Sequence, residues 1–415
     1  MRPPSVDRLA RSLTDVDLPH PLLVEAARAA IAAGDPDSAR ERAERLSRAL
    51  LRPVVNATGV LLHTNLGRAP VGHDQHAGYA NLELDLATGK RGSRSAHVAS
   101  LLARASEAEA ALVVNNCAAA VLLGLTAVAS GRGVVVSRGE LVEIGGGFRV
   151  PDVMAQSGAA LVEVGTTNRT RLADYRRAVD APEHDVAALL KVHTSNYRVM
   201  GFTEDVSIRA LAGLELPVLA DIGSGLLDAG CPWLRDGPPS WLGDEPAVRQ
   251  TLAEGADLVM FSCDKLLGGP QAGVIAGRAD LVAACAQHPL ARAMRPGGLV
   301  LAALQDLLLA YLRKDGDAIP FWRMVQTPVE RLQSRAESLG VGEPIACESV
   351  TGGGTLPDRS FPSFGIAVDG DITDPLRESE PAIIARVQDG RTFCDLRTVD
   401  PTFDDHLAKA VAAAI

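Results

Sequence analysis

Aromatic side chains make up only 4% of the 415 residues, too few to build a base-stacking platform along single-stranded nucleic acid. Cysteine is scarce and scattered. Cys117, Cys231, Cys263, Cys285, Cys347 and Cys394 form no Cys-x-x-Cys pair and no Cys/His cluster at zinc spacing, which argues against a disulfide framework or a structural metal site. No window reaches the roughly 18 uninterrupted apolar residues of a membrane span. The best run, Ala110 to Ala129, is broken by Asn115 and Asn116. The opening Met-Arg-Pro-Pro-Ser has no apolar stretch behind its charge, so no secretory signal is read and a reducing, cytoplasmic setting is expected. Positive charge is in the minority: 41 Lys and Arg against 51 Asp and Glu leave a net −10. Bulk charge therefore cannot hold this protein on nucleic acid, and any such contact is local.

What is present is ordinary globular material, 47% hydrophobic and 22% charged, at a length that predicts about two to three domains. Residues 1–52 are rich in Arg and Ala, with Leu22, Leu23, Ala26, Ala27 and Ala30 at helical spacing. Asp35-Pro36 breaks the run, and Asp37 or Ser38 is placed to cap a second helix reaching about Leu51. That helix carries Arg40, Arg42, Arg45, Arg48 and Arg52, and the pairs Glu41–Arg45 and Glu44–Arg48 read as a solvated face.

From 53 to 298 short apolar runs alternate with helical stretches. Seven runs stand out: Ala111–Val114, Gly133–Val136, Ala160–Val164, Val186–Leu190, Pro217–Ala220, Asp257–Phe261 and Gly273–Ala276. Continuous apolarity, without strict alternation, predicts strands covered on both faces, hence an α/β domain with a mostly parallel sheet. In such a sheet the polar residues after the strands face a common crevice. Residues 299–415 read as a small α+β domain: a helix over Leu299–Leu312, another from Pro328, strands near Phe364–Val368, Ala382–Arg386 and Thr392–Leu396, and a terminal helix over Asp404–Ile415.

Three strand ends carry chemistry. Lys265 follows the Asp257–Phe261 run and precedes Gly268-Gly269-Pro270, where a partly desolvated amine becomes nucleophilic; alone it reads equally as a loop lysine. Asp221 ends the Pro217–Ala220 run, where a buried carboxylate needs a cation or else caps the next helix. Asn115, Asn116, Cys117 and Ala118 lead from a strand into an apolar helix, whose start suits a phosphate ester or simple Asn capping. Amine, carboxylate and helix start, with Ser262 beside the phosphate, are what pyridoxal 5′-phosphate needs. Their order along the chain resembles that of fold-type I enzymes of this coenzyme. His193 or Asn196, at a further strand end, is placed to reach the ring or its 3-hydroxyl, or serves structure alone.

Longer stretches carry a narrower resemblance. Arg52-Pro-Val-Val-Asn-Ala-Thr-Gly-Val-Leu-Leu-His-Thr-Asn-Leu-Gly-Arg68 is similar to the signature of the bacterial selenocysteine synthase family, the L-seryl-tRNA(Sec) selenium transferases. So are Asn81 to Arg94, Val135 to Glu140 with Gly145 to Val153, Glu163 to Thr170, Lys191 to Tyr197 and the Lys265 stretch. The resemblance implies pyridoxal 5′-phosphate bound to Lys265, with Asp221 at the ring nitrogen. It implies conversion of seryl-tRNA(Sec) to selenocysteinyl-tRNA(Sec) through a dehydroalanyl intermediate, with selenophosphate as donor. Arg68, Arg292 and Arg295 match the arginines that take that donor; Arg292 and Arg295 would share one face if their stretch is helical. Asp264 matches a residue that assists the chemistry, and Cys117 stands where the family usually has a third Asn. A homo-oligomer built from dimers and a tRNA face over Arg40–Arg52 are also implied. Two other readings stay open: an ammonia lyase of the same fold acting on a free amino acid or amino-sugar acid, and a tRNA-binding protein without activity. His73-x-x-His76 reads as loop composition, not a metal site.

Overall fold

A computed structural model describes residues 5–75, 77–144 and 147–415; His76 and the Gly145-Gly146 pair of the third motif lie outside the described residues. Each of the seven apolar runs becomes a strand of one sheet: β1 (Ala110–Val114), β2 (Gly133–Ser137), β3 (Ala160–Val164), β4 (Val186–Val192), β5 (Val218–Gly223), β6 (Leu258–Ser262) and β7 (Gly273–Gly277). Their order across the sheet is β1-β7-β6-β5-β4-β2-β3. β7 runs antiparallel to β1 and β6, and the remaining pairs are parallel. The fold is therefore the α/β class expected, with one reversed strand.

Burial on both faces explains the unbroken apolar runs. Successive residues of β2 serve opposite cores: Val135 packs with Leu189, Ala220 and Phe261 on one side, Val134 and Val136 with Leu190, Leu219 and Met260 on the other. Helix Cys117–Ala129 covers the second face through Ala120 and Leu123. The first face is covered by Ala96–Ser106 and Gly298–Arg313, through Leu102, Leu301, Leu304 and Leu308.

Packing runs across the expected 298/299 division, because Leu304, Phe321 and Trp322 bury against the same core as Phe261. Conversely, the strand Val54–Asn56 pairs in parallel with Ala382–Ile384, and Val55 and Ala57 join Leu332, Ile366 and Leu396 in the C-terminal core. That region holds a four-stranded antiparallel sheet of Glu343–Val350, Ser360–Asp369, Arg391–Asp395 and Arg386–Gln388. Its first strand was not read from sequence; most of its residues are exposed or half-buried, so the apolar signal is weak.

At the N-terminus, helices Val6–Arg11, His20–Ala32 and Ala39–Arg48 enclose their own cluster, including Leu13, Leu23, Ala27 and Ala43. The expected side-chain cap does not form: Ser38 Oγ donates to the Asp35 carbonyl at 2.8 Å. Both expected ion pairs, Glu41–Arg45 and Glu44–Arg48, do form. Arg48 and Arg52 also reach Glu378 and Glu380 of the C-terminal region. No described helix is long and apolar enough to cross a membrane.

Candidate active site

β6 ends at Ser262 and the chain turns at once. The backbone bonds Leu266 N to Ser224 O, Gly268 N to Lys265 O and Gly269 N to Cys263 O, at 2.8–2.9 Å, fix that turn. They hold Lys265 inside the protein, 6% exposed, with Nζ donating to the Gly354 carbonyl at 3.2 Å. Two glycines leave room around the amine. A Cβ on Gly354 would lie 3.5 Å from Nζ and one on Gly223 3.9 Å, and both residues have positive φ. Gly354 comes from the loop after Glu343–Val350, so the C-terminal region closes one side of the site.

Asp221, in the neighbouring strand β5, is 4% exposed. Burial pushes its carboxyl up to about 6, against the opposing pull of Lys265. The Cys117 thiol donates to its Oδ1 at 3.8 Å. The helical segments that follow β5 begin only at Ser240 and Val248, so Asp221 caps neither; its burial is met by a proton or by a cation in the crevice.

β1 leads directly into helix Cys117–Ala129. Asn116 is its N-cap, with Oδ1 accepting from Ala119 N at 2.8 Å, so the capping reading holds for that side chain. The backbone N–H groups of Cys117 and Ala118 are those that helix geometry leaves without an internal partner. Asn115 N donates to Met294 O at 2.9 Å, joining the Arg292–Arg295 segment to this helix start. A Cβ on Gly273 would fall 2.1 Å from the Asn116 carbonyl, so only glycine lets β7 begin that close.

The other predicted residues divide. Ser262 Oγ donates to Asp264 Oδ1, which commits the hydroxyl to its neighbour. Asp264 is 4% exposed and receives Arg68 Nη1 on Oδ2 at 2.8 Å. Arg292 lies in the last turn of helix Pro289–Ala293, but Arg295 falls beyond it, so the two do not share a helix face. Both are exposed, and neither makes an ion pair among the described residues. His193 follows β4, its N–H bonded to the Asp221 carbonyl at 2.8 Å and its Nε2 3.3 Å from Glu245 Oε2. Asn196 turns away, with Nδ2 on the Glu143 carbonyl at 2.9 Å. His73 pairs with Asp306 at 2.7 Å.

Sequence reasoning missed Glu245, Ser195 and Gly354. The run Gly352-Gly353-Gly354 was a visible signal for close backbone approach; Glu245, inside a loop, offered none. A cavity of about 730 Å³ opens beside Asp221 and His193 and is bordered by Glu245, Lys191, Asn168 and Arg198. On its wall Lys191 Nζ bridges Glu140 at 2.7 Å and Asp205 at 3.2 Å. A buried amine flanked by glycines, a buried carboxylate and a helix start fit pyridoxal phosphate: aldehyde, ring nitrogen and phosphate each meet a group of matching chemistry.

A family model described as SelA, L-seryl-tRNA selenium transferase, matches residues 54–400. The chain is 45% identical to the L-seryl-tRNA(Sec) selenium transferase of Moorella thermoacetica, over 90% of this chain and 84% of that protein. It is 46% identical to that of Hyphomonas neptunium, over 83% and 78%. Among solved structures, D-glucosaminate-6-phosphate ammonia-lyase superposes with a TM-score of 0.59, over 89% of this chain and 97% of that one. At 23% identity this is a likeness of fold.

Proposed function

The chain belongs to the L-seryl-tRNA selenium transferase family, and from that premise we propose that it converts L-seryl-tRNA(Sec) to L-selenocysteinyl-tRNA(Sec), taking selenium from selenophosphate. The observation that carries the chemistry is the buried convergence of Lys265 and Asp221, with Gly223 and Gly354 leaving space about the amine. Bound there, pyridoxal phosphate would supply an electron sink for negative charge at the seryl Cα while the β-hydroxyl departs.

The protein's own groups do the rest. Lys265 Nζ would hold the coenzyme aldehyde, and its amine would serve as the base for the seryl α-proton. Asp221, 4% exposed, would pair with the ring nitrogen and favour its protonated form. The N–H groups of Cys117 and Ala118 would hold the phosphate at the positive end of the helix dipole. Arg68, Arg292 and Arg295 supply guanidinium forks for the tetrahedral oxyanion of the selenium donor, and Asp264 holds Arg68 in position. Atoms balance as selenium replacing the seryl hydroxyl oxygen, with phosphate released from the donor.

The helices of residues 5–52 would meet the tRNA through exposed Arg45 and Arg48. A homodimer fits the apolar side chains left bare on loops, Tyr79, Leu86, Met200 and Phe202. The deciding experiment incubates purified, coenzyme-loaded protein with seryl-tRNA(Sec) and selenophosphate, with free serine as control. Selenocysteinyl-tRNA formed only when both substrates are present supports the reading. Turnover of a free amino acid without tRNA overturns it in favour of a lyase.

A further inference from the structure

Ser195 is 1% exposed, and its Oγ has no hydrogen-bond partner among the described residues. A buried hydroxyl left unpaired carries a desolvation cost, and native structures reserve such groups for a ligand or a water. Its direction is set by the same reference point that marks the catalytic cluster. A Cβ on Gly223 would lie 3.6 Å from Ser195 Oγ, 3.8 Å from Asp221 Oδ1 and 3.9 Å from Lys265 Nζ. Serine hydroxyl, carboxylate and amine therefore surround one small volume. The two residues the sequence put forward for the ring are engaged elsewhere, His193 Nε2 with Glu245 and Asn196 Nδ2 with the Glu143 carbonyl.

Sheet order says which edge of the coenzyme Ser195 would face. Asp221 lies on β5. On one side, β6 ends at Ser262 and leads to Lys265, and beyond β6 and β7 lies β1, which leads to the Cys117 helix proposed to hold the phosphate. Ser195 follows β4, on the opposite side of β5. In pyridoxal phosphate the phosphate arm and the 3-oxygen occupy opposite edges of the ring, on either side of the line from ring nitrogen to aldehyde carbon. With nitrogen at Asp221, aldehyde at Lys265 and phosphate toward β1, the 3-oxygen is directed toward β4.

We infer that Ser195 is a coenzyme-binding residue, its hydroxyl donating a hydrogen bond to the ring 3-oxygen. This rests on the coenzyme assignment above. The 3-oxygen shares a proton with the nitrogen that joins lysine and coenzyme. A donor on that oxygen stabilises its negative charge and makes the nitrogen easier to deprotonate. Ser195 thus sets the pH at which the lysine-bound coenzyme changes colour, and with it how readily the amine exchanges for an incoming seryl group.

The test titrates the absorbance of loaded wild-type, Ser195→Ala and Ser195→Thr proteins with pH, and measures coenzyme dissociation in each. One lost hydrogen bond predicts a midpoint raised by about 0.5–1 pH unit and affinity weakened about 3–10-fold in Ser195→Ala. Ser195→Thr, which keeps the hydroxyl, is expected to stay near wild type. An unchanged midpoint in Ser195→Ala, or equal displacement in both variants, overturns the assignment, even where the melting temperature falls. A wild-type protein that takes up no coenzyme would instead refute the reading on which the inference rests.

Discussion

Arg68 and Asp264, remote in sequence, meet at 2.8 Å, Nη1 to Oδ2, with the carboxylate 5% exposed next to Lys265 in the chain. The pair links the first motif of the chain to the strand end that carries the amine. Arg68 itself stands at φ 63°, directly after Gly67, so the backbone is bent to deliver this side chain. Removing the guanidinium leaves Asp264 buried with only the Ser262 hydroxyl. Arg68→Ala is expected to raise the KM for selenophosphate at least about tenfold and to cost about 1–3 kcal/mol of stability. Steady-state kinetics with denaturant unfolding check it, and an unchanged KM counts against a donor-binding role.

Lys265→Ala should abolish borohydride-stable attachment of the coenzyme and lower turnover by about 10³-fold or more, since the lysine on the cavity wall, Lys191, is held by Glu140 and Asp205. Mass spectrometry after reduction reads the attachment directly. A labelled Lys265→Ala protein would place the link at another lysine.

Asp221 gives a pH dependence of known sign. In coenzyme-free protein its carboxyl holds a proton up to about pH 6, whereas the unfolded chain releases it near 3.8. Between those values the folded state binds more protons, so this group's contribution to stability falls as pH rises. The whole interval corresponds to on the order of 2–3 kcal/mol. Asp221→Asn removes that slope and should gain on wild type between about pH 4 and 6 in urea unfolding. Parallel stability curves for the two proteins would contradict the burial argument.

Asn116 separates cap from ligand site. Asn116→Ala loses the bond to Ala119 N and is expected to cost about 1 kcal/mol. Asn116→Asp keeps the cap and the stability, but sets a negative charge at the helix start proposed to hold the phosphate, so coenzyme affinity should fall about tenfold. Calorimetric binding of the coenzyme to both variants distinguishes the two effects.

The N-terminal helices predict salt-dependent tRNA binding. Affinity should fall with salt at a slope of about −0.7 to −0.9 per phosphate contacted, and Arg45→Ala should reduce that slope by about one contact. Filter binding at several salt concentrations measures it. A slope unmoved by Arg45→Ala and Arg48→Ala together would assign those arginines to their observed pairs with Glu41 and Glu44 alone.

Strand identity was legible because burial on both faces forces long apolar runs: all seven strands of the sheet lie where Val, Leu and Ile crowd together, from Ala110–Val114 to Gly273–Gly277. Lys265, Asp221 and the Asn116 helix start were legible because each stands at a strand end, where polarity has no packing explanation. Which core each apolar helix joins was not. An apolar helix such as Gly298–Arg313 announces that it is buried, without saying against which core. Nor could spacing say that Asn196 turns toward Glu143 while Ser195 turns inward, since adjacent loop residues differ only in backbone direction.

Local chemistry and periodicity thus determined the element types, the both-faces-buried sheet and the amine, carboxylate and helix start of the site. The tertiary structure decided strand order, the pairing of Val54–Asn56 with Ala382–Ile384, the meeting of Arg68 with Asp264 and the approach of Gly354 and Glu245. Those contacts join residues far apart in the chain. Their formation depends on how whole layers pack, which no window of neighbouring residues encodes.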